Sequence, residues 1–461
     1  MQAHSRIPYL VVHVGLPREN ILTASTDTVL YSPSASEGDE APLDVLGVGF
    51  GPSNLSLAIA LGEQERPRPR VHFYERHPRF SWHGDMLLKD ATMQVHFLKD
   101  LVTLRNPGSP YTFLSYLHSR ERLVDFINHK VLFPSRVEFH DYLEWAANAY
   151  SDRVSYGCEV SRVEPVWADS GLRHVNVHLT PSGPDGPRHV VRQARNVVLA
   201  PGLRPHLPEG AEESERVWHS SRLLTRLEGI PRDEPVTFTV VGAGQSAAEV
   251  TAYLHGRFPG ALVRAVFSHY GYNPADDSPF ANRIFDPTAV DEFFESSHTV
   301  RQMLIDRHGS TNYSVVDQDL IEELYRIWYQ EKVTDDRRLL IDNVSRILEV
   351  EETSGRLSLT LESLTTREKR SVASDYLVYA TGYRPAPPES IIAPEIMKLC
   401  KRDSSGRLRV DRDYRIRTEE GVHCGFYLQG ATEHTHGLSS TLLSNIAVRA
   451  GEIASSLLAR G

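Results

Sequence analysis

The stretch LDVLGVGFGPSNLSLAIAL, Leu43 to Leu61, decides the fold. LDVLGV is an apolar run of buried-strand type, GFGP is a turn, and SNLSLAIAL has helical spacing. Strand, glycine turn and helix in that order build a phosphate cradle. The turn lets a pyrophosphate approach the backbone, and the helix N-terminus offers N–H donors and a positive dipole end. Gly47 and Gly49 take the first two glycine positions; Pro52 stands where Gly or Ala is usual. Working outward, VHFYERH (71 to 77) reads as the next strand, and Glu75 at its end can accept hydrogen bonds from an adenosine ribose.

A second such unit lies nearly two hundred residues on, in VTFTVVGAGQSAAEVTAYL, Val236 to Leu254. Gly242, Gly244, Gln245, Ser246 and Ala247 fit the GxGxxA pattern. The following strand, LVRAVFSHY, ends without an acid, which disfavours a 2′-hydroxyl reader. Arg264, Ser268 and His269 are the groups available for a 2′-phosphate, so NADPH is preferred, with NADH possible. Two dinucleotide sites in one chain imply hydride passing between two cofactors, a flavin in the N-terminal unit and a nicotinamide in the inserted one. NVVLAPG (196 to 202) reads as a further buried strand. YLVYATGYRP (376 to 385), with Thr381 and Gly382, reads as a segment returning to complete the flavin domain.

The expected fold is therefore α/β, with two doubly wound Rossmann-like dinucleotide-binding domains and a smaller substrate-binding region. Residues 1–42 form a flexible Pro-, Ser- and acid-containing leader. Residues 43–208 are the first part of the flavin domain. Residues 209–345 are the inserted NADPH domain, with a substrate segment around 270–330, and 346–461 complete the flavin domain. The C-terminal TLLSNIAVRAGEIASSLLA has helical spacing.

Composition narrows the class. The 461 residues carry a formal charge of −10 and no basic run, which argues against a nucleic-acid surface. No twenty-residue apolar span suggests a membrane helix, and the start lacks signal-peptide features. Three scattered cysteines without a CxxC suit a reducing cytoplasm and exclude a disulfide framework. Glu433-His434-Thr435-His436 has no partner spacing for a metal, so none is expected. In MQVHFLKDL, Lys99 sits among Phe97, Leu98 and Leu101. It is either a snorkelling lysine or a desolvated cation that needs an anion.

The ordered set GVGFGPSN, MQVHFLKDL, DDSPFAN, TNYSVVD, ATGY and THGLSSTLLS resembles the flavin-dependent N-hydroxylating monooxygenases. It looks most like the L-ornithine N5-monooxygenases, with the L-lysine N6-monooxygenases as close relatives, and it runs from about Leu43 to about Leu458. The resemblance implies FAD, NADPH and O2, and oxygen transfer through a flavin C4a-hydroperoxide to the side-chain amine of L-ornithine. It implies that Lys99 holds the substrate carboxylate, and that Asn282 and Asn312 hold and orient the substrate. Ser444 is implied near the amine and flavin, Gln94 beside the flavin ring, and Trp82 among the cofactor contacts. Gln94, Asn312 and Ser444 are thereby the catalytic candidates. The family often has an arginine near Ser268 or His269, and this chain does not. The resemblance also implies a homo-oligomer, a tetramer, and a use in hydroxamate siderophore or related peptide biosynthesis.

Rival readings are an L-lysine or diamine hydroxylase and a non-catalytic flavin-binding module. A Baeyer-Villiger monooxygenase lacks its signature around RVWHSSRLL, and a thiol-disulfide reductase lacks its cysteine pair.

Overall fold

The computed structural model describes residues 41–64, 68–182, 186, 188–353 and 355–460. Apart from Ala41 and Pro42, the expected leader lies outside the described residues. The first unit contains β1 (Leu43–Val48), α1 (Pro52–Gly62), β2 (Val71–Tyr74), α2 (Arg136–Asn148) and β3 (Val190–Leu199). The second contains β4 (Thr237–Val241), α3 (Gln245–Arg257), β5 (Leu262–Val266), α4 (Gln318–Thr334) and β6 (Tyr376–Tyr379). The chain ends with β7 (Gly425–Leu428) and α5 (Ile446–Ala459).

In the first sheet β2, β1, β3 and β7 run parallel, in that order. The N-terminal half of β3 pairs instead with an antiparallel hairpin, Cys158–Ala168 and Gly171–Pro181. Both faces are buried, which is why these strands read as continuous apolar runs. Val45 and Val198 face α1 and α5, packing with Leu57, Ile59, Ala450 and Ile453. Leu46, Val197 and Leu199 point the other way, against Val175, Val177 and Ile396.

The second sheet is five parallel strands: Leu339–Asp342, β5, β4, β6 and Val217–His219. Phe238, Val240 and Val263 pack on α3 through Ala247, Val250 and Leu254. The opposite face is covered by a three-stranded antiparallel meander, Ser345–Thr353, Arg356–Ser363 and Lys369–Ser374. Its alternating Leu357, Leu359 and Leu361 meet Val266, Leu377 and Tyr379.

This moves one expected boundary. Residues 346–379 belong with the second sheet, because the meander buries its apolar face there and β6 pairs with β4. The chain returns to the first sheet only at β7. Thr381 and Gly382 sit at the crossing beside a two-stranded ribbon, Leu203–Pro205 with Tyr383–Pro385. The Thr381 hydroxyl donates to the His206 carbonyl, and the Gly382 carbonyl accepts from the His206 N–H. Neither lines the cleft described below, whereas Tyr383 beside them does.

The two glycine turns are built alike. Gly49 has φ +81°, and a Cβ there would lie 2.4 Å from the Ala200 carbonyl oxygen, just after β3. Gly242 has φ +145°, and a Cβ there would lie 2.4 Å from the Ala380 carbonyl oxygen, just after β6. Each turn is thus pressed against the end of a neighbouring parallel strand, where only hydrogen fits. Gly47, by contrast, lies within β1 and leaves room for the Phe73 ring.

Candidate active site

A cleft of about 2780 Å³ opens where the carboxyl ends of both sheets meet, the position expected of ligands in open α/β sheets. Gly49, Pro52, Glu75 and Trp82 line it from the first unit, and Gln245 and Ser246 from the second. Gln94, Lys99, Asn282, Asn312 and Ser444 line it as well. These residues come from widely separated segments of chain, so the fold gathers what the sequence scatters. Gly47, Gly242, Gly244 and Ala247 stand behind the cleft and shape its turns. The buried Ala247 methyl closes on Gly242, packing α3 onto the sheet.

Pro52 opens α1 at a position whose N–H has no helical partner, so the missing Gly or Ala of the fingerprint costs the turn nothing. The Glu75 carboxylate accepts from the Phe50 N–H at 2.8 Å and from the His77 N–H at 2.9 Å. It therefore fixes the glycine turn while remaining partly open to the cleft.

Arg264 is a correction. Its guanidinium is paired with the Asp342 carboxylate on the adjacent strand, with its side chain 12% exposed. It does not line the cleft, because a side chain in mid-strand stands on a face of the sheet rather than beyond the strand end. Ser268 and His269, past the end of β5, are exposed.

Lys99 is half-buried, with its ammonium 5.9 Å from the Phe285 ring centroid and no ion pair among the described residues. Burial pulls its pKa below the usual lysine value, and the Asp286 carboxylate opposes that shift. The loop that presents it is held by Asp100, which sequence reasoning passed over. This buried carboxylate accepts from the N–H groups of Val102, Thr103 and Phe113 and from the Thr103 hydroxyl, at 2.7 to 2.9 Å. Asn282 donates to the Asp277 carbonyl at 2.6 Å, closing DDSPFAN into a compact loop. Beside Asn312, the Tyr313 hydroxyl donates to the Glu433 carboxylate. Ser444 is buried in a short 3-10 turn that leads into α5.

The histidines of EHTH serve packing. His434 bonds the Leu408 carbonyl at 2.8 Å, and His436 stacks on Tyr414 with ring centroids 4.0 Å apart. Burial holds His436 neutral, its pKa lowered to about 3.

A polar chain that the sequence did not reveal joins the two units across the cleft. The Asp317 carboxylate accepts from Gln94 at 2.7 Å and from Gln245 at 2.9 Å, while its N–H donates to the Gln245 side-chain oxygen. Gln245 also donates to Glu249, which is bridged through both oxygens to Arg136 at 2.8 and 2.9 Å. Arg136 opens α2 of the first unit, and Glu249 lies on α3 of the second. Glu249→Gln is expected to lower stability by about 3 kcal/mol, because a buried guanidinium loses its counter-charge. A thermal melt would read this as a clear fall in midpoint; an unchanged midpoint would contradict the pairing.

The comparisons with known proteins agree with this geometry. Residues 41–385 match the model of the L-lysine 6-monooxygenase/L-ornithine 5-monooxygenase family. The chain is 37% identical over 421 residues to an L-ornithine N(5)-monooxygenase of Pseudomonas aeruginosa, covering 90% of this chain and 93% of that one. It is similar to the ornithine N-hydroxylase of Kutzneria sp. 744 solved with reduced FAD, NADP+ and L-ornithine. That likeness has a TM-score of 0.87 and 45% identity, over 91% of this chain and 100% of the other. It is also similar, at TM-score 0.79 and 31% identity, to the L-lysine 6-monooxygenase of Pseudomonas syringae, over 91% and 99% of the two chains.

Proposed function

From the premise that this chain belongs to the L-lysine 6-monooxygenase/L-ornithine 5-monooxygenase family, we propose how its cleft works. The protein is a flavin-dependent monooxygenase that uses FAD, NADPH and O2 to hydroxylate the side-chain amine of L-ornithine. The observation that carries the residue assignment is the convergence of Lys99, Asn282, Asn312 and Ser444 on one cleft with Gly49 and the Gln245–Ser246 end of α3.

The residues present fit the two cofactors. The bare Gly49 turn and the N-terminus of α1 suit the FAD pyrophosphate, and the Gln245–Ser246 end of α3 suits the nicotinamide nucleotide. Bound FAD, once reduced by NADPH, supplies the activated oxygen that the amine takes up.

The chain's own residues do the rest. Lys99, which forms no direct ion pair among the described residues, holds the substrate carboxylate through a charge-assisted hydrogen bond. Asn282 and Asn312 offer donor and acceptor together, which suits a neighbouring ammonium and carboxylate and then the side-chain nitrogen. The amine must be neutral to act as nucleophile, and near pH 7.5 that form costs about 4 kcal/mol to select. Asn312 and Ser444 favour it by accepting from a neutral amine without fixing a charge. Asp317 holds Gln94 and Gln245 in one hydrogen-bonded unit, which keeps the nicotinamide turn against the flavin side of the cleft.

Ornithine is favoured over lysine, which differs by one methylene worth about 1 to 3 kcal/mol in a fitted pocket. Kinetics with ornithine, lysine and putrescine test this, with hydroxylamine measured beside NADPH and NADH oxidation. The reading expects ornithine to lead lysine by at least about tenfold in kcat/KM. Equal or better turnover of lysine or putrescine would overturn the substrate assignment.

The pH profile follows from Lys99. Because burial lowers its pKa, the ornithine KM should begin to rise on the alkaline side at a lower pH than an exposed lysine would give. Over the same range kcat should rise as the bound amine loses its proton. A KM flat through alkaline pH would contradict the role of Lys99.

An exposed row on α4, Tyr325, Tyr329 and Val333, supports association into a homo-oligomer, taken as a tetramer. The three cysteines are free and buried, which suits a cytoplasmic setting. N5-hydroxyornithine carries the N–OH that acylation turns into a hydroxamate, as siderophore peptides require.

A further inference from the structure

Arg449 is a buried cation with no counter-ion of its own. It closes the first turn of α5, is 2% exposed, and forms no ion pair among the described residues. The nearest acid on its own helix, Glu452, is engaged through both oxygens by Arg412, at 2.8 Å each. One guanidinium nitrogen donates to the Ser440 carbonyl and another to the Ser53 hydroxyl oxygen at 3.2 Å, while Nε is buried without a partner. Arg449 and Ser53 both line the cleft, and Ser53 is the second residue of α1, at its phosphate-facing end. Leaving such a charge unpaired in the interior is costly unless an anion arrives. Burial accordingly lowers the Arg449 pKa, with Tyr414 and Glu452 only partly offsetting it.

The direction of the hydrogen bond carries the argument further. Arg449 can only donate, so the Ser53 oxygen is its acceptor and the Ser53 proton must point elsewhere. Two adjoining acceptors are already engaged, since Gln429 donates to the Ser53 carbonyl at 3.0 Å and to the Asn54 side-chain oxygen at 2.9 Å. The open direction for the Ser53 hydroxyl is the cleft.

We propose that Arg449 supplies the counter-charge for the FAD pyrophosphate, acting through Ser53 as a positioning residue that turns the serine hydroxyl toward a phosphate oxygen. The inference rests on the flavin assignment above. It makes the C-terminal helix, four hundred residues from the glycine turn, part of the phosphate site.

The test uses the full chain stripped of flavin, with Arg449→Met, Ser53→Ala and the double variant. Affinity is read for FAD directly and for ADP as its competitor, beside melting of the flavin-free and FAD-loaded forms. Arg449→Met should weaken FAD and ADP by about 10- to 100-fold, as loss of a charge-assisted bond does. Ser53→Ala should weaken both by a smaller factor, and the double variant should match Arg449→Met within about twofold, because the serine's share is already lost with the arginine that orients it. The flavin-free melting point of Arg449→Met should not fall, while its gain on adding FAD shrinks.

FAD and ADP affinities within about twofold of wild type would overturn the proposal. So would weakened FAD with unchanged ADP, or equal losses in the melting points of both forms. If Arg449→Met does not fold, Ser53→Ala decides alone. Failure of the wild type to hold FAD would sink the flavin assignment itself, a result distinct from these.

Discussion

Lys99→Ala is expected to raise the ornithine KM about 100-fold while leaving FAD content and the rate of flavin reduction by NADPH near wild type. The magnitude follows from losing a charge-assisted hydrogen bond in a partly desolvated site, about 3 kcal/mol. Lys99 forms no direct ion pair among the described residues and lines the cleft, with Asp286 acting on it only electrostatically, so its removal chiefly leaves the substrate carboxylate uncompensated. The loop itself should persist, because Asp100 and not Lys99 ties it down. Lys99→Arg should recover part of the loss. Putrescine, which has no carboxylate, supplies the internal control: whatever turnover it supports should be nearly indifferent to the substitution. An ornithine KM unchanged in Lys99→Ala would mean the ammonium only snorkels, and would remove it from the substrate site.

The second large effect separates the two glycine turns. Gly49→Ala should give protein that retains little FAD, because a methyl at φ +81° and 2.4 Å from the Ala200 carbonyl forces the phosphate turn open. Gly242→Ala meets the same obstruction at Ala380, yet in the other unit. It should keep FAD and lose reduction by NADPH by about 100-fold, while dithionite still reduces the flavin. Displacing a backbone N–H from a buried phosphate oxygen is worth about 2 to 3 kcal/mol, which sets that factor. Flavin content measured by absorbance and stopped-flow reduction by NADPH read the two outcomes independently. If both variants lost FAD equally, the division of labour between the turns would be wrong.

The parts of this molecule that were legible in the sequence are those determined locally. Each strand, glycine turn and helix is written within twenty residues, and so is the acid at the end of β2. The family motifs identified Lys99, Asn282, Asn312 and Ser444, and the structure places all four on the cleft. What failed depended on pairing between distant segments. Arg264 looked available for a phosphate because Asp342, 78 residues on, cannot be read as its neighbour from spacing. The segment YLVY was assigned to the flavin domain because a buried parallel strand carries no mark of which sheet it joins. Thr381 and Gly382 follow that strand and so sit at the crossing between the two sheets.

The polar links were invisible for the same reason. Gln94 and Asp317 are 223 residues apart, and Arg136 and Glu249 are 113 apart. A sign of the second pair was present: arginine and glutamate at buried-helix positions each need a partner, though nothing local names it. Arg449 carried a similar sign, a lone arginine inside the apolar helix IAVRAGEIASSLLA.

The central claim is that the cleft passes one oxygen atom from O2 to the side-chain nitrogen of ornithine. Mass spectrometry of the product formed under ¹⁸O2, with NADPH oxidation counted in parallel, tests it most directly. The account predicts one ¹⁸O on the side-chain nitrogen for each NADPH consumed. NADPH oxidation that yields peroxide alone, with no labelled ornithine, would contradict it.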